Sequence, residues 1–347
     1  MKWMRWNRGF TTLPLALLAC TIAAPVAAQE TTPAMLAAAA KEGKVVWYSS
    51  IDVKVAELIA KAFRADYPNI QIEVERSGSE RVFQRINQEY QSGIKNVDVV
   101  NSSDASHFLY WKQQKWLAPH VPPDVKRYPA QFKDPEGYYA AWRATLSVMG
   151  YNTNLVPAKD APTGYLDLLD PKWKGKLVKS HPGYSGTSLT GTYAIAKVLG
   201  WEYLEKLSQQ GVQQLQSTTA TPKSIASGER AVMVDGNEYN MFIEIDAKSP
   251  VAIVYPKEGT PFVTSPTAIF SDAPHPNAAR VLQNFLYTAK IQQLTVNEGG
   301  TRSLHPDVKD PPGRTPLTQI KILPDDPAAM LPQVADIKKR YTALFGN

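Results

Sequence analysis

Four short stretches of this chain combine hydroxyl side chains, often with glycine, in a way that suits an anion site. They are Ser49-Ser50, Ser77-Gly78-Ser79, Ser102-Ser103-Asp104 and Gly183-Tyr184-Ser185-Gly186-Thr187-Ser188. Each follows a β-rich run and precedes residues with helical spacing. A helix N-terminus offers free backbone N–H groups and partial positive charge, so several aimed at one cleft hold an anion without any lysine. Plain N-capping by Ser or Thr is the competing account for each stretch taken alone. The 183–188 stretch carries two glycines that let backbone approach a ligand closely, and it is assigned to function.

Other chemistries fit less well. Gly183-Tyr184-Ser185-Gly186-Thr187 sits on a strand-to-helix turn but ends in threonine where a nucleophile elbow has glycine. A secreted serine hydrolase would also need His107, His120, His181, His275 or His305 as base, and none has a diagnostic setting. There is no HExxH helix, no paired histidines and no Asp-rich calcium loop. Asp52, Asp104, Glu238 and Tyr239 fall at or near strand ends, and carboxylate with phenolate suits a hard trivalent ion. Asp104 and Glu238 equally suit the first turns of their helices, where negative charge is favoured. Cys20 is the one cysteine and lies in the leader, so the mature chain has no disulfide, thiol nucleophile or cysteine metal site.

The elements that position these residues repeat one grammar. Val45-Val46-Trp47-Tyr48 reads as a buried strand, followed by a helix carrying Val55, Leu58, Ile59 and Phe63. Ile70 to Val74 is a second strand, followed by a helix with Val82, Phe83, Ile86 and Tyr90. Val97 to Val100 is a third, leading to a helix through Phe108, Leu109 and Trp111. This is α/β architecture with a mostly parallel sheet. Residues 117–136 form a proline-rich connection, and a strand near Trp142 to Tyr151 opens a second lobe. There Gly175 to Val178 is a strand, Leu189 to Leu199 a helix, and Val232-Met233-Val234 a strand ending in Asp235-Gly236-Asn237-Glu238-Tyr239. Phe262-Val263-Thr264 reads as the chain passing back between lobes. Helices over Asn277 to Ala289 and Ala329 to Phe345 form the tail.

Residues 1–28 read as a secretory signal: Lys2, Arg5 and Arg8 precede an apolar run from Phe10 to Ala27. Val26-Ala27-Ala28 sets cleavage before Gln29. Leu17-Leu18-Ala19-Cys20 loosely resembles a lipoprotein processing box, but its second leucine is atypical and the later site is preferred. At 347 residues, 44% hydrophobic and 20% charged, the chain is globular and long enough for two lobes. Its formal charge of +6 falls to +3 once the three leader cations are gone. With no basic stripe interleaved with aromatics, nucleic acid is not an expected partner.

Taken in order, these marks resemble the substrate-binding proteins of bacterial ABC importers, in the branch of the ferric-iron-binding proteins and their organic-anion-binding relatives. The marks are Lys41 to Ser50, the Asp98-Val99-Val100 strand, Gly150-Tyr151-Asn152, Ser185-Gly186-Thr187, Asp235 to Tyr239 and the ending Ile337 to Phe345. The resemblance implies a type II periplasmic-binding-protein fold with the ligand cleft between lobes. It divides the chain into 29–142 and 256–298 as lobe 1, 143–255 as lobe 2, and 299–347 as a C-terminal segment packing mainly on lobe 2. The hinge falls near Arg143 to Met149 and Pro256 to Thr264.

The family's iron ligands match Asp52, Ser103, Glu238 and Tyr239, where one of four survives. Its anion-holding loop matches Ser185, Gly186 and Thr187 and is intact. The expectation is a periplasmic, monomeric, non-enzymatic binder of a small anionic or zwitterionic solute, delivering it to an inner-membrane ABC permease and needing no cofactor. Ser49, Ser50, Ser77, Ser79, Ser103, Ser185, Gly186 and Thr187 would donate to the anion. Asn237 and Tyr239 would orient it, with Arg143 as counter-charge. Asp52 and Glu238 argue for a cationic amine on the solute or a bound metal. The first alternative is a ferric-ion binder using Asp52, Glu238 and Tyr239, and the second is the hydrolase.

Overall fold

The computed structural model describes Met1 and residues 29–346. The signal segment and Cys20 lie outside the described residues. Among the described residues, no helix is long and apolar enough to cross a membrane.

The first part of the chain alternates helix and strand: α1 (Pro33–Glu42), β1 (Lys44–Ser49), α2 (Val53–Asp66), β2 (Gln71–Arg76), α3 (Ser79–Gln91), β3 (Val99–Asn101) and α4 (Ala105–Gln113). After β4 (Leu117–Ala118) and two 3-10 turns comes the long strand β5 (Ala140–Asn152). The alternation resumes with β6 (Leu177–Ser180), α5 (Gly186–Leu199), α6 (Trp201–Ser208), β7 (Gln213–Leu215), α7 (Thr221–Ala226), β8 (Val232–Asn237), α8 (Glu238–Asp246) and β9 (Val251–Val254). The chain then returns through β10 (Thr260–Phe270) to α9 (Pro276–Tyr287) and α10 (Ala289–Gly299). It ends with β11 (Ile322–Leu323), α11 (Pro327–Met330) and α12 (Val334–Phe345).

The main path of the sheet runs β2-β1-β3-β10-β5-β8-β6-β7. β1 pairs in parallel with β2 and β3 at one end, and β6 pairs in parallel with β7 and β8 at the other. Between them β5 and β10 run antiparallel to each other and are buried along their whole lengths. The architecture is that of a type II periplasmic binding protein, two parallel α/β units bridged by long crossing strands.

Both faces of the first parallel unit are covered at β1 and β3, which is why these two strands are near-continuous apolar runs, while the edge strand β2 alternates apolar and polar residues. Val45 and Trp47 pack under α2 and α9 with Ile59, Phe63, Leu282 and Phe285. Val46 and Tyr48 face the other way, against Val82, Ile86 and Trp111. In the second unit Leu177, Val232 and Val234 pack with Leu204, Leu207 and Tyr165. Ile337 of α12 seats on Leu189 of α5.

Three elements differ from the sequence reading, each for a physical reason. The tail is not one helix over 329–345: α11 and α12 are separated by a 3-10 turn at Leu331–Gln333, where Pro332 has no N–H to give to the carbonyl four residues back. β10 extends from Thr260 through Phe270 although it contains Pro261 and Pro266. The sheet absorbs Pro266 by a register shift between Ser265 and Pro266. β7 escapes a search for apolar runs because it is Gln-Gln-Leu and only half-buried.

Candidate functional site

The loops at the carboxyl ends of β1, β2, β3, β6, β7 and β8 converge on one cavity, where an open α/β sheet binds ligands. It is lined by Ser50, Arg76, Gly78, Ser79, Ser103, Arg143, Tyr184, Ser185, Thr187, Ser217, Thr218, Thr219, Asn237 and Tyr239. The space amounts to about 280 Å³. The lining holds many hydroxyls, two arginines and no carboxylate.

Capping and ligand roles separate here. Asp52 caps α2 by accepting from Lys54 N–H, and Asp104 caps α4 by accepting from Ser106 N–H. The neighbouring Ser50 and Ser103 are thereby spared that task. Gly78 caps α3 without a side chain, leaving Ser79 as the first helical residue. Only Ser185 among the four stretches caps with its own hydroxyl, accepting from Ser188 N–H at 3.4 Å, while its Oγ also meets Thr218 Oγ1 at 3.1 Å.

Of the expected site residues, Ser50, Ser79, Ser103, Arg143, Ser185, Thr187, Asn237 and Tyr239 line the cavity. Ser49, Ser77 and Gly186 do not. Ser49 is fully buried within the first unit, its Oγ 3.4 Å from Asn101 Oδ1 and accepting from Ile51 N–H. Ser77 uses its backbone N–H to continue the ladder onto Ser49 O. Gly186 donates its N–H to Ser79 Oγ at 2.6 Å. A Cβ on Gly186 would stand 2.6 Å from that of Asp104, so this close approach requires glycine.

Arg143, on β5, is the unusual member. It is 2% exposed, yet its Nε and Nη1 have no partner among the described residues. Burial pulls its pKa below the ordinary value. Its charge lies over the Tyr239 ring, 5.2 Å from the centroid, and burial raises the Tyr239 phenol. Asn237 donates to Thr218 Oγ1 and Asn240 Oδ1, but its own Oδ1 is buried and unpartnered. Arg76 donates Nε–H to Ile51 O at 2.9 Å.

The acidic residues correct the sequence reading. Glu238 does not face the cavity: Arg302 Nε and Nη2 donate to its two oxygens at 2.6 and 2.8 Å, and Tyr255 OH donates at 2.6 Å. Asp52 caps α2 and accepts from Asn240 Nδ2 at 3.2 Å, and it does not line the cavity either. Of Asp52, Glu238 and Tyr239, only the tyrosine opens onto it. A different trio, Glu80, Asp104 and His107, clusters behind the cavity wall, and Lys338 there bonds Glu80. The hydrolase reading finds no base: Ser185 meets Thr218 and Ser188, and His181 Nδ1 accepts from Gly183 N–H.

Three groups escaped the sequence reading. Ser217-Thr218-Thr219 carries the same hydroxyl signal as the other loops, but the polar strand before it hides its position. Arg76 carries no local mark at all, and Tyr184, although inside the 183–188 stretch, has no role of its own in the sequence reading.

A family model described as bacterial extracellular solute-binding protein matches residues 95–315. An uncharacterized protein of Haemophilus influenzae is 23% identical over 309 residues, covering 85% of this chain and 84% of that one. Among solved structures, the periplasmic binding protein AfuA from Actinobacillus pleuropneumoniae, with fructose-6-phosphate bound, superposes with a TM-score of 0.80 at 20% identity. The match covers 87% of this chain and 98% of AfuA. Iron-bound HitA from Pseudomonas aeruginosa gives 0.74 at 19% identity, covering 87% and 99%. The fold is that of the periplasmic binding proteins of ABC importers, including those that bind ferric ion. The chain belongs to the bacterial extracellular solute-binding protein family.

Proposed function

We propose that this chain is the periplasmic solute-binding component of an ABC importer and that its solute is small and carries an oxyanion. One observation carries the reading: the buried guanidinium of Arg143 has two unpartnered nitrogens and opens onto a cavity without a carboxylate. A buried charge left unpaired is costly, and a bound anion removes that cost. Arginine pairs with phosphate or carboxylate oxygens through short, charge-assisted bonds.

Ser50, Ser79, Ser103, Ser185, Thr187 and Thr218 supply neutral donors around the anion. Asn237 Oδ1 asks for a hydroxyl or N–H on the solute. The small size of the cavity favours a phosphate, phosphonate or short carboxylate over a bulky ligand. No carboxylate faces the cavity to hold a cationic amine or a ferric ion, which favours a plain anion over a zwitterion and over iron. AfuA, which holds a sugar phosphate, agrees in the kind of head group.

In this reading residues 29–142 with 256–298, and residues 143–255 with 299–347, are the two lobes. They close by bending β5 and β10 near 143–149 and 256–264. Solute shifts the population toward the closed form, which docks on the permease.

The test is a thermal-shift screen of refolded, solute-free protein against phosphate, phosphonates, carboxylates, sugar phosphates and ferric citrate. A solute at 100 times its dissociation constant adds about 2.7 kcal/mol of stability. The expected result is stabilisation by an oxyanion, lost in Arg143→Met. Stabilisation by ferric ion alone, with a visible tyrosinate band, overturns the reading.

A further inference from the structure

Three consecutive residues at the start of α3 each reach across the cleft to a different element of the second unit. Ser79 Oγ accepts from Gly186 N–H of α5 at 2.6 Å. Glu80 Oε2 accepts from Lys338 Nζ of α12 at 2.5 Å. Arg81 Nη2 donates to Gln216 Oε1 at 2.5 Å, and its charge lies 5.9 Å from the centre of the Tyr184 ring.

Ser79 and Tyr184 line the solute cavity, but Glu80 and Lys338 do not touch it. They lie one layer outside, and Glu80 is 2% exposed. Its second oxygen, Oε1, lies 3.3 Å from His107 Nε2, which is also 3.3 Å from Asp104 Oδ2. His107 is fixed by Ser102 Oγ at its other nitrogen and stacks on Phe83. The first unit thus holds two carboxylates buried beside one imidazole. Burial alone would raise the Glu80 carboxyl, but His107 and Lys338 outweigh it and hold its pKa below the ordinary value.

We propose that Glu80 and Lys338 form an electrostatic clasp that positions the two lobes in their closed arrangement, with His107 and Asp104 aiming Glu80 at the lysine. Lys338 lies some 150 residues after the cavity loop at 183–188 and is brought there by the packing of α12 on α5. Opening the cleft separates the pair into water. Closing it desolvates both groups, and the closed state then depends on each having the other. The clasp rests on the reading of this cleft as a solute trap, because only then does closure have a purpose. The ion pair itself is testable without solute.

The experiment measures how often the cleft closes. Arg81 and Gln216 meet end to end across the cleft and neither lines the cavity, so the thiols of Arg81→Cys with Gln216→Cys are bridged by a short thiol-specific cross-linker fastest when the lobes meet. With Cys20→Ser in the background, the engineered thiols are the only ones. In solute-free protein, Lys338→Met and Glu80→Gln should each slow this cross-link trapping about tenfold. The double substitution should be no slower than either single, and Lys338→Arg should restore most of the rate. Trapping within twofold of the parent in Lys338→Met, or losses that multiply in the double, overturns the clasp. If Glu80→Gln does not fold, the Lys338→Met and Lys338→Arg pair carries the test, since that lysine is 28% exposed. Added inorganic phosphate reports separately: an intact clasp that phosphate and a sugar phosphate fail to accelerate counts against the oxyanion reading alone.

Discussion

Arg143 and Arg302 are equally buried, each 2% exposed, and stand on adjoining backbone, because Ala144 bridges to Arg302. Their surroundings are opposite. Arg302 gives Nε and Nη2 to Glu238, Nη1 to Asp310 and a further bond to Thr315 O. Arg143 has neither a carboxylate nor a partner for Nε and Nη1. One guanidinium is consumed by the fold and the other is held in reserve. A buried charge therefore names its role by what surrounds it: complete pairing marks a strut, and incomplete pairing marks the outline of a missing ligand.

Substituting each arginine breaks this contrast in a different observable. Arg302→Met leaves Glu238 buried with only Tyr255 for company, and loss of one partner of a buried pair costs about 3–5 kcal/mol. Chemical denaturation should show that loss, and a change under 1 kcal/mol would mean that Glu238 finds another donor or water.

Arg143→Met should have the reverse signature. Removing an unpaired buried charge leaves the stability of the solute-free protein unchanged or raised. Oxyanion affinity should fall about 100-fold, as for one lost charge-assisted pairing of about 2.7 kcal/mol. Calorimetric titration on the solute that the thermal screen selects checks the affinity. A destabilised variant with unchanged affinity would make Arg143 a second strut.

Much of this was legible from residue order, and the illegible part has a common cause. Strand, hydroxyl turn and helix repeat locally, so the α/β plan and the loops at 50, 79, 103 and 185 were visible in single windows of sequence. Arg143 was singled out from its position near the crossing strands. The acids were misjudged because a carboxylate at a strand end does not reveal its partner. Glu238 is neutralised by Arg302, 64 residues further on, and Asp52 spends one oxygen on its own helix. Ser217-Thr218-Thr219 was missed because β7 is held by pairing with β6 and not by an apolar run of its own. The reach of Lys338 to Glu80 spans 258 positions and depends on how α12 docks, which no local pattern encodes.

The same contrast extends to acids, with a smaller effect. Glu238 is saturated by Arg302, whereas Asp325 has only neutral donors: Thr264 N–H and Oγ1 give to its Oδ2, and its Oδ1 is buried without a partner. Burial pushes the Asp325 carboxyl up to about 6, and the charge of Asp104 adds to the rise. Its folded pKa therefore exceeds its unfolded value of about 3.9. The proton is bound more tightly in the folded state, so the stabilisation is complete below about pH 4 and is lost as pH rises through 6. Because the residue as a whole is only half-buried, the expected loss is about 1–2 kcal/mol, less than the full shift would give. Asp325→Asn should flatten the stability curve between pH 4 and 6 and leave the protein about 1–2 kcal/mol more stable at pH 7. Denaturation midpoints across that range decide it. Parallel curves for the two proteins would mean that Asp325 ionises freely, and that the rule drawn from the two arginines holds only for charges with no route to water.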